Sequence, residues 1–167
     1  MILIVPFVMI MQITPDGNGR FAALAIFIIA SMTDFLDGYI ARKSHLVTNF
    51  GKFMDPLADK LLVCSAMICL VDMSRIPSWI VIIIIGREFV ISGFRLIASD
   101  NGVVIAANYW GKCKTVCQMF MIIILIANLG GGFVIVEQIL IYASLILTVI
   151  SLITYLWQNR SVLSMQE

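Results

Sequence analysis

The sequence predicts an all-α integral membrane protein, a six-transmembrane-helix bundle formed as a single domain over residues 1–167. Three observations carry this prediction. Of 167 residues, 61% are hydrophobic and only 13% are charged, where an ordinary soluble domain carries roughly 25% charged residues. With a mean hydropathy of +1.04, the chain is too apolar to remain disordered and too poor in charge to cover a soluble globule. Apolar runs of membrane-crossing length recur along it, and the period-two alternation of a barrel is absent. Helices are then the remaining way to satisfy the backbone in lipid.

The elements follow in order. Met1 to Ile13 is apolar but short for a span and contains Pro6. It reads as the distal part of a first helix, truncated at its amino end in this sequence. Five stretches reach the roughly 20 residues that a bilayer demands: Phe21 to Arg42, Gly51 to Val71, Pro77 to Ile97, Tyr109 to Leu129 and Phe133 to Trp157. The breaks between them carry turn chemistry. They are Thr14 to Gly19, Ser74 to Pro77, Asp100-Asn101-Gly102 and Gly130-Gly131-Gly132. Trp79, Trp110 and Trp157 fall near span ends, as an interfacial aromatic belt would.

Charge sets the expected orientation. With the turn Lys43 to Phe50 facing the cytoplasm, the inner ends collect Arg42, Lys43, Lys52, Lys60, Arg95, Lys112, Lys114 and Arg160. The outer ends hold Arg20 and Arg75, and Arg87 lies within a span. This positive-inside bias predicts a multi-pass membrane protein with both termini inside. A net charge of +1 offers no basic excess for nucleic acid. The cysteines Cys64, Cys69, Cys113 and Cys117 form no CxxC, and His45 is the single histidine. A zinc site is not indicated, and the cysteines read as small packing residues.

Most of the chemistry gathers between Asp34 and Asp59. Asp34 and Asp37 are three apart on the second segment, and Asp55 and Asp59 are four apart on the third. Each pair shares a helix face. The short polar turn makes these helices antiparallel neighbours, so four carboxylates converge near the cytoplasmic boundary. Ionised carboxylates there repel and are expensive, so positive charge must compensate. Oxygen-only ligands favour hard ions such as Mg²⁺, Mn²⁺ or Ca²⁺ over zinc, and four carboxylates suit two ions. Gly38 and Gly51 permit close approach of a ligand or helix. Plainer readings exist for single residues: Asp55-Pro56 as an N-cap and first helical position, Asp34 as a buried hydrogen-bonding residue, Asp59 paired with Lys60.

The pattern D-x2-D-G-x2-A-R-x8-G-x3-D-x3-D, complete here in Asp34, Asp37, Gly38, Ala41, Arg42, Gly51, Asp55 and Asp59, resembles the motif of the CDP-alcohol phosphatidyltransferases. The resemblance implies a six-helix membrane enzyme, often homodimeric, that transfers the phosphatidyl group of CDP-diacylglycerol to an alcohol and releases CMP. It implies metal binding by Asp34, Asp37, Asp55 and Asp59, with Asp59 also the general base. It implies a cytidine diphosphate pocket shaped by Asp34, Gly38, Ala41, Arg42 and Gly51. Members of the family begin with a further polar half-helix that helps enclose the nucleotide. The stretches Ser31 to Gly38, Gly51 to Leu62, Gly86 to Phe89 and Gly111 to Thr115 are similar to members whose acceptor is glycerol-3-phosphate.

Acceptor choice must rest on other charges. Arg87, Glu88 and Arg95 interrupt a span full of Ile and Val, and ionisable residues at such depth are functional candidates. Eight positions put Arg87 and Arg95 about 80° apart on one wall. Lys112, Lys114 and Thr115 open the next segment. Together Arg87, Arg95, Lys112, Lys114 and Thr115 form an expected cationic pocket for the acceptor's phosphate. The plainer readings are an intramembrane Arg87–Glu88 pair or separate helix-to-helix bonds, and Arg95, Lys112 and Lys114 snorkelling to head groups. Competing functions are a relative using serine, an inositol phosphate or phosphatidylglycerol as acceptor, a divalent-cation transporter, or an inactive structural subunit. A transporter wants carboxylates spread across the bilayer depth, whereas these four cluster at one boundary.

Overall fold

The computed structural model describes residues 4–13, 17–43, 49–100 and 108–159, with the backbone alone at 18, 34–43, 49–59, 97, 99 and 100. The described residues form six helices and no strand: α1 (Ile4–Ile13), α2 (Asn18–Lys43), α3 (Asn49–Asp72), α4 (Ser78–Asp100), α5 (Tyr109–Ala127) and α6 (Phe133–Gln158). The all-helical expectation holds. Boundaries shift where local chemistry allows. Pro6 is accommodated in the first turn of α1, where N–H groups have no intrahelical partner to lose. Asn18 and Gly19, expected in a turn, already belong to α2, and Gly17 before them takes a left-handed φ of 69°.

The turn after α3 is a Schellman closure. The Arg75 N–H donates to Leu70 O at 2.8 Å and the Ser74 N–H to Val71 O at 2.8 Å. Ser74 occupies the left-handed position at φ 56° that glycine usually takes. Pro77 follows and prevents α3 from continuing. After α5, Asn128, Gly130 and Gly131 all have positive φ, which explains why this break is built from glycine and asparagine.

The chain divides into two compact units. One comprises Met1–Ile76 with Ile122–Asn128, the other Pro77–Met121 with Leu129–Glu167. In the first, α1 packs on α2 and α3, and α2 packs on α3. Phe7 and Phe27 are fully buried, with ring centroids 5.8 Å apart and planes tilted by 42°, within the favoured range for aromatic pairs. Ala23 of α2 and Ala66 of α3 are also fully buried, small enough to let helix backbones approach. Arg20 closes this unit by donating from Nη1 to Asn128 O at 3.0 Å, at the carboxyl end of α5, where carbonyls lack helical partners.

In the second unit α4 packs on α6. The buried face of α6 is Glu137, Ile141, Ser144, Thr148, Ser151 and Tyr155, a spacing of alternating fours and threes that keeps one stripe inward. Ile91, Phe94 and Ala98 of α4 form a cluster with Tyr155, and Phe94 meets Tyr155 edge to face at 5.8 Å. The opposite side of α6 exposes Ile135, Ile139, Ile146, Ile153 and Trp157. An apolar exterior of this kind suits lipid rather than water.

Two of the described helices, α5 and α6, are long and apolar enough to cross a membrane. α4 is 23 residues long but carries Arg87, Glu88 and Arg95, and the described side chains of α2 leave the shorter apolar stretch Gly19–Thr33. The four cysteines form no disulfide, and Cys117 Sγ lies 3.7 Å from Ser144 Oγ within the helix packing.

Phe27→Ala should remove an aromatic contact in a site with no water to refill it. We expect a loss of about 2 kcal/mol and a fall of about 5 °C in the unfolding midpoint of detergent-solubilised protein. Ile29→Ala, at an exposed position of the same helix, should leave that midpoint unchanged.

Candidate functional site

Two groups of residues carry chemistry, one in each unit. In the first unit, α2 carries Asp34, Asp37, Gly38, Ala41 and Arg42, and α3 carries Gly51, Asp55 and Asp59. The two helices pack against each other. The side chains of these eight residues lie outside the described residues, as does His45. The backbone still settles one alternative. α3 begins at Asn49, six positions before Asp55, so Asp55 and Pro56 lie inside a helix and do not start one. Pro56 withdraws the N–H that would pair with the Lys52 carbonyl. The capping explanation for Asp55 therefore fails, because the chain is already helical before it.

In the second unit the side chains are visible. Arg87 is 8% exposed and donates from Nη1 to Glu88 Oε1 at 3.0 Å. Its Nη2 donates to the hydroxyl of Ser151 on α6, while its Nε is buried without a hydrogen-bond partner. Lys114 of α5 is 1% exposed and its ammonium pairs with the same Oε1 of Glu88. One carboxylate thus serves two cations, leaving the trio one positive charge in excess. Gly111 lies against this group: a Cβ there would stand in ordinary contact, 3.4 Å from Arg87 Nη2 and 3.7 Å from Ser151 Oγ.

The expected cationic residues separate into three situations. Arg87 and Lys114 meet at Glu88. The Arg87–Glu88 pair weighed as an alternative does form, and snorkelling is overturned for Lys114, whose ammonium is drawn inward by the half-buried Glu88 carboxylate. Arg95 instead donates from Nε to the Tyr155 hydroxyl at 3.3 Å, with its guanidinium carbon 5.6 Å from that ring's centroid. Lys112 and Thr115 are exposed, and the Thr115 hydroxyl donates to Gly111 O of its own helix at 2.9 Å. Sequence reasoning had missed Ser151 and Tyr155. Their signal was present: hydroxyls recur at Ser144, Thr148, Ser151 and Tyr155 in an otherwise apolar helix. Nothing in the sequence paired that stripe with the arginines of α4.

Residues 1–150 match the family model of the CDP-alcohol phosphatidyltransferases, and the chain belongs to that family. Proteins named CDP-diacylglycerol–glycerol-3-phosphate 3-phosphatidyltransferase are similar over most of its length. One from Bacillus subtilis is 48% identical over 133 residues, covering 72% of this chain and 69% of the relative. One from Haemophilus influenzae is 39% identical over 160 residues, covering 93% and 86%. One from Arabidopsis thaliana, numbered 2 of that name, is 42% identical over 159 residues, covering 83% and 66%. Family membership and the apolar helices together make this a membrane protein.

Glu88→Ala should remove the carboxylate with which Lys114 and Arg87 pair. Breaking a buried pair costs about 3 kcal/mol, so the unfolding midpoint in detergent should fall clearly. Adding Lys114→Met should recover most of the loss, because no buried ammonium then remains at that position.

Proposed function

We propose that this chain transfers the phosphatidyl group of CDP-diacylglycerol to sn-glycerol-3-phosphate, yielding phosphatidylglycerol phosphate and CMP. The complete motif from Asp34 to Asp59 on two packed helices carries this reading. The names and extent of similarity of its relatives support the acceptor. The enzyme sits in the cytoplasmic membrane as a six-span bundle and homodimer, one catalytic domain per chain, with its site facing the cytoplasm. The positive charges at the inner ends of the spans support that orientation.

The donor set of Asp34, Asp37, Asp55 and Asp59 is all oxygen and carries four negative charges, which fits Mg²⁺ or Mn²⁺ and suits two ions. Bound there, the cations would neutralise the donor's diphosphate and the departing CMP. The remaining work falls to the chain. Gly38, Ala41 and Gly51 leave room for the cytidine diphosphate, and Arg42 supplies charge beside it. Asp59, one turn beyond Asp55, takes the proton from the acceptor hydroxyl as its oxygen bonds to phosphorus. The bond from phosphorus to the CMP oxygen breaks, and the proton stays on the Asp59 carboxylate until solvent removes it. Arg87, Arg95, Lys112, Lys114 and Thr115 receive the acceptor's phosphate. The buried guanidinium and ammonium that meet at Glu88 support this assignment, since a neutral alcohol would need neither.

Purified protein in detergent, given labelled CDP-diacylglycerol and each acceptor in turn, tests the reaction. Turnover of glycerol-3-phosphate with release of CMP is expected; turnover of serine or an inositol phosphate in its place would reject the acceptor. Asp55→Asn and Asp59→Asn should each lower CMP release by about a thousandfold or more while the protein still inserts. Chelation should abolish activity, and Mg²⁺ or Mn²⁺ should restore it.

A further inference from the structure

The three small hydroxyl residues on the buried face of α6 are used differently. Thr148 donates to Ser144 O of its own helix at 2.7 Å, and Ser144 reaches Cys117 Sγ at 3.7 Å. Ser151, fully buried, instead accepts a hydrogen bond from Arg87 Nη2 across to α4. The Arg87 guanidinium is then held at two corners, by Glu88 from its own helix and by Ser151 from α6. The two holds are not equivalent. Glu88 neutralises charge, and it divides that neutralisation between Arg87 and Lys114. Ser151 orients the guanidinium without neutralising it. The buried Nε of Arg87 retains an unused donor. A long side chain pinned in this way has less rotamer freedom left to lose when an anion arrives.

We propose that Ser151 is a positioning residue for the acceptor: it aims the Arg87 guanidinium at the phosphate of glycerol-3-phosphate. The inference rests on the reading of Arg87 as a phosphate-binding residue. It is a claim about acceptor binding and not about the chemical step. The loss of Ser151 should therefore appear in the acceptor's KM and leave the donor's KM unchanged.

The test is steady-state kinetics of the full chain in detergent, varying glycerol-3-phosphate and CDP-diacylglycerol separately, for Ser151→Ala, Ser151→Cys, Arg87→Ala and Ser151→Ala/Arg87→Ala. Ser151→Ala should raise the acceptor KM about tenfold, the lower end of what one hydrogen bond to a charged group contributes. Ser151→Cys keeps nearly the same volume but offers only a weak acceptor, so it should raise KM similarly and guards against a packing effect. In the Arg87→Ala background, Ser151→Ala should add less than about a twofold change, because its target is gone. An effect of equal size in both backgrounds would overturn the inference, as would an unchanged acceptor KM in Ser151→Ala or Ser151→Cys. An unchanged acceptor KM in Arg87→Ala itself would instead refute the assignment of Arg87, and the role of Ser151 would fall with it.

Discussion

An ionised side chain withdrawn from water must be met by opposite charge or by hydrogen bonds, and this requirement organises the second unit. α4 is an apolar helix that carries Arg87 and Glu88 side by side. Neither belongs in lipid without compensation. Glu88 answers Arg87, Lys114 comes in from α5 to share the same carboxylate, and Ser151 takes a further guanidinium hydrogen. The lysine is almost completely buried, which a lysine tolerates only beside an acid. Arg20 obeys the same requirement with a neutral partner, the Asn128 carbonyl at the end of α5.

Small residues line the packing around these charges. Gly111 lies next to Arg87 Nη2 and Ser151 Oγ. Ala98 packs fully buried in the cluster around Tyr155. With lipid as apolar as leucine, helices gain little by merely hiding apolar surface. Fit and interhelical hydrogen bonds must hold them. The same stripe of α6 that shapes the packing therefore supplies the hydroxyls that orient the arginines.

Both substrates of the proposed reaction are anions, and the proposal has the chain meet them in opposite ways: the diphosphate through divalent cations held by carboxylates, the phosphate monoester directly by guanidinium and ammonium groups. Asp34 to Asp59 holds the four motif carboxylates together with Arg42, Lys43 and Lys52, and Arg87 to Lys114 holds four cations together with Glu88 and Asp100. Within the second stretch Glu88 pairs with both Arg87 and Lys114.

Composition and motif spacing alone determined the helical class, the apolar runs and the family, because hydrophobicity and fixed intervals of Asp and Gly are properties of the chain itself. The glycine-rich break after α5 was equally legible, since Gly130 and Gly131 take a φ that few other residues accept. Helix starts were less so. Asp55-Pro56 looked like a beginning until α3 was seen to start at Asn49, for a proline interrupts a helix only when tertiary packing does not hold it. Arg87 and Lys114 were visible as charges, but their sharing of Glu88 was not. Nor was the reach of Ser151 and Tyr155 toward α4, because partners 64 and 60 positions away in sequence are chosen by how helices pack. Local pattern therefore named the ingredients, and only the folded chain decided which charges meet, since burial forces a pairing that no sequence interval encodes.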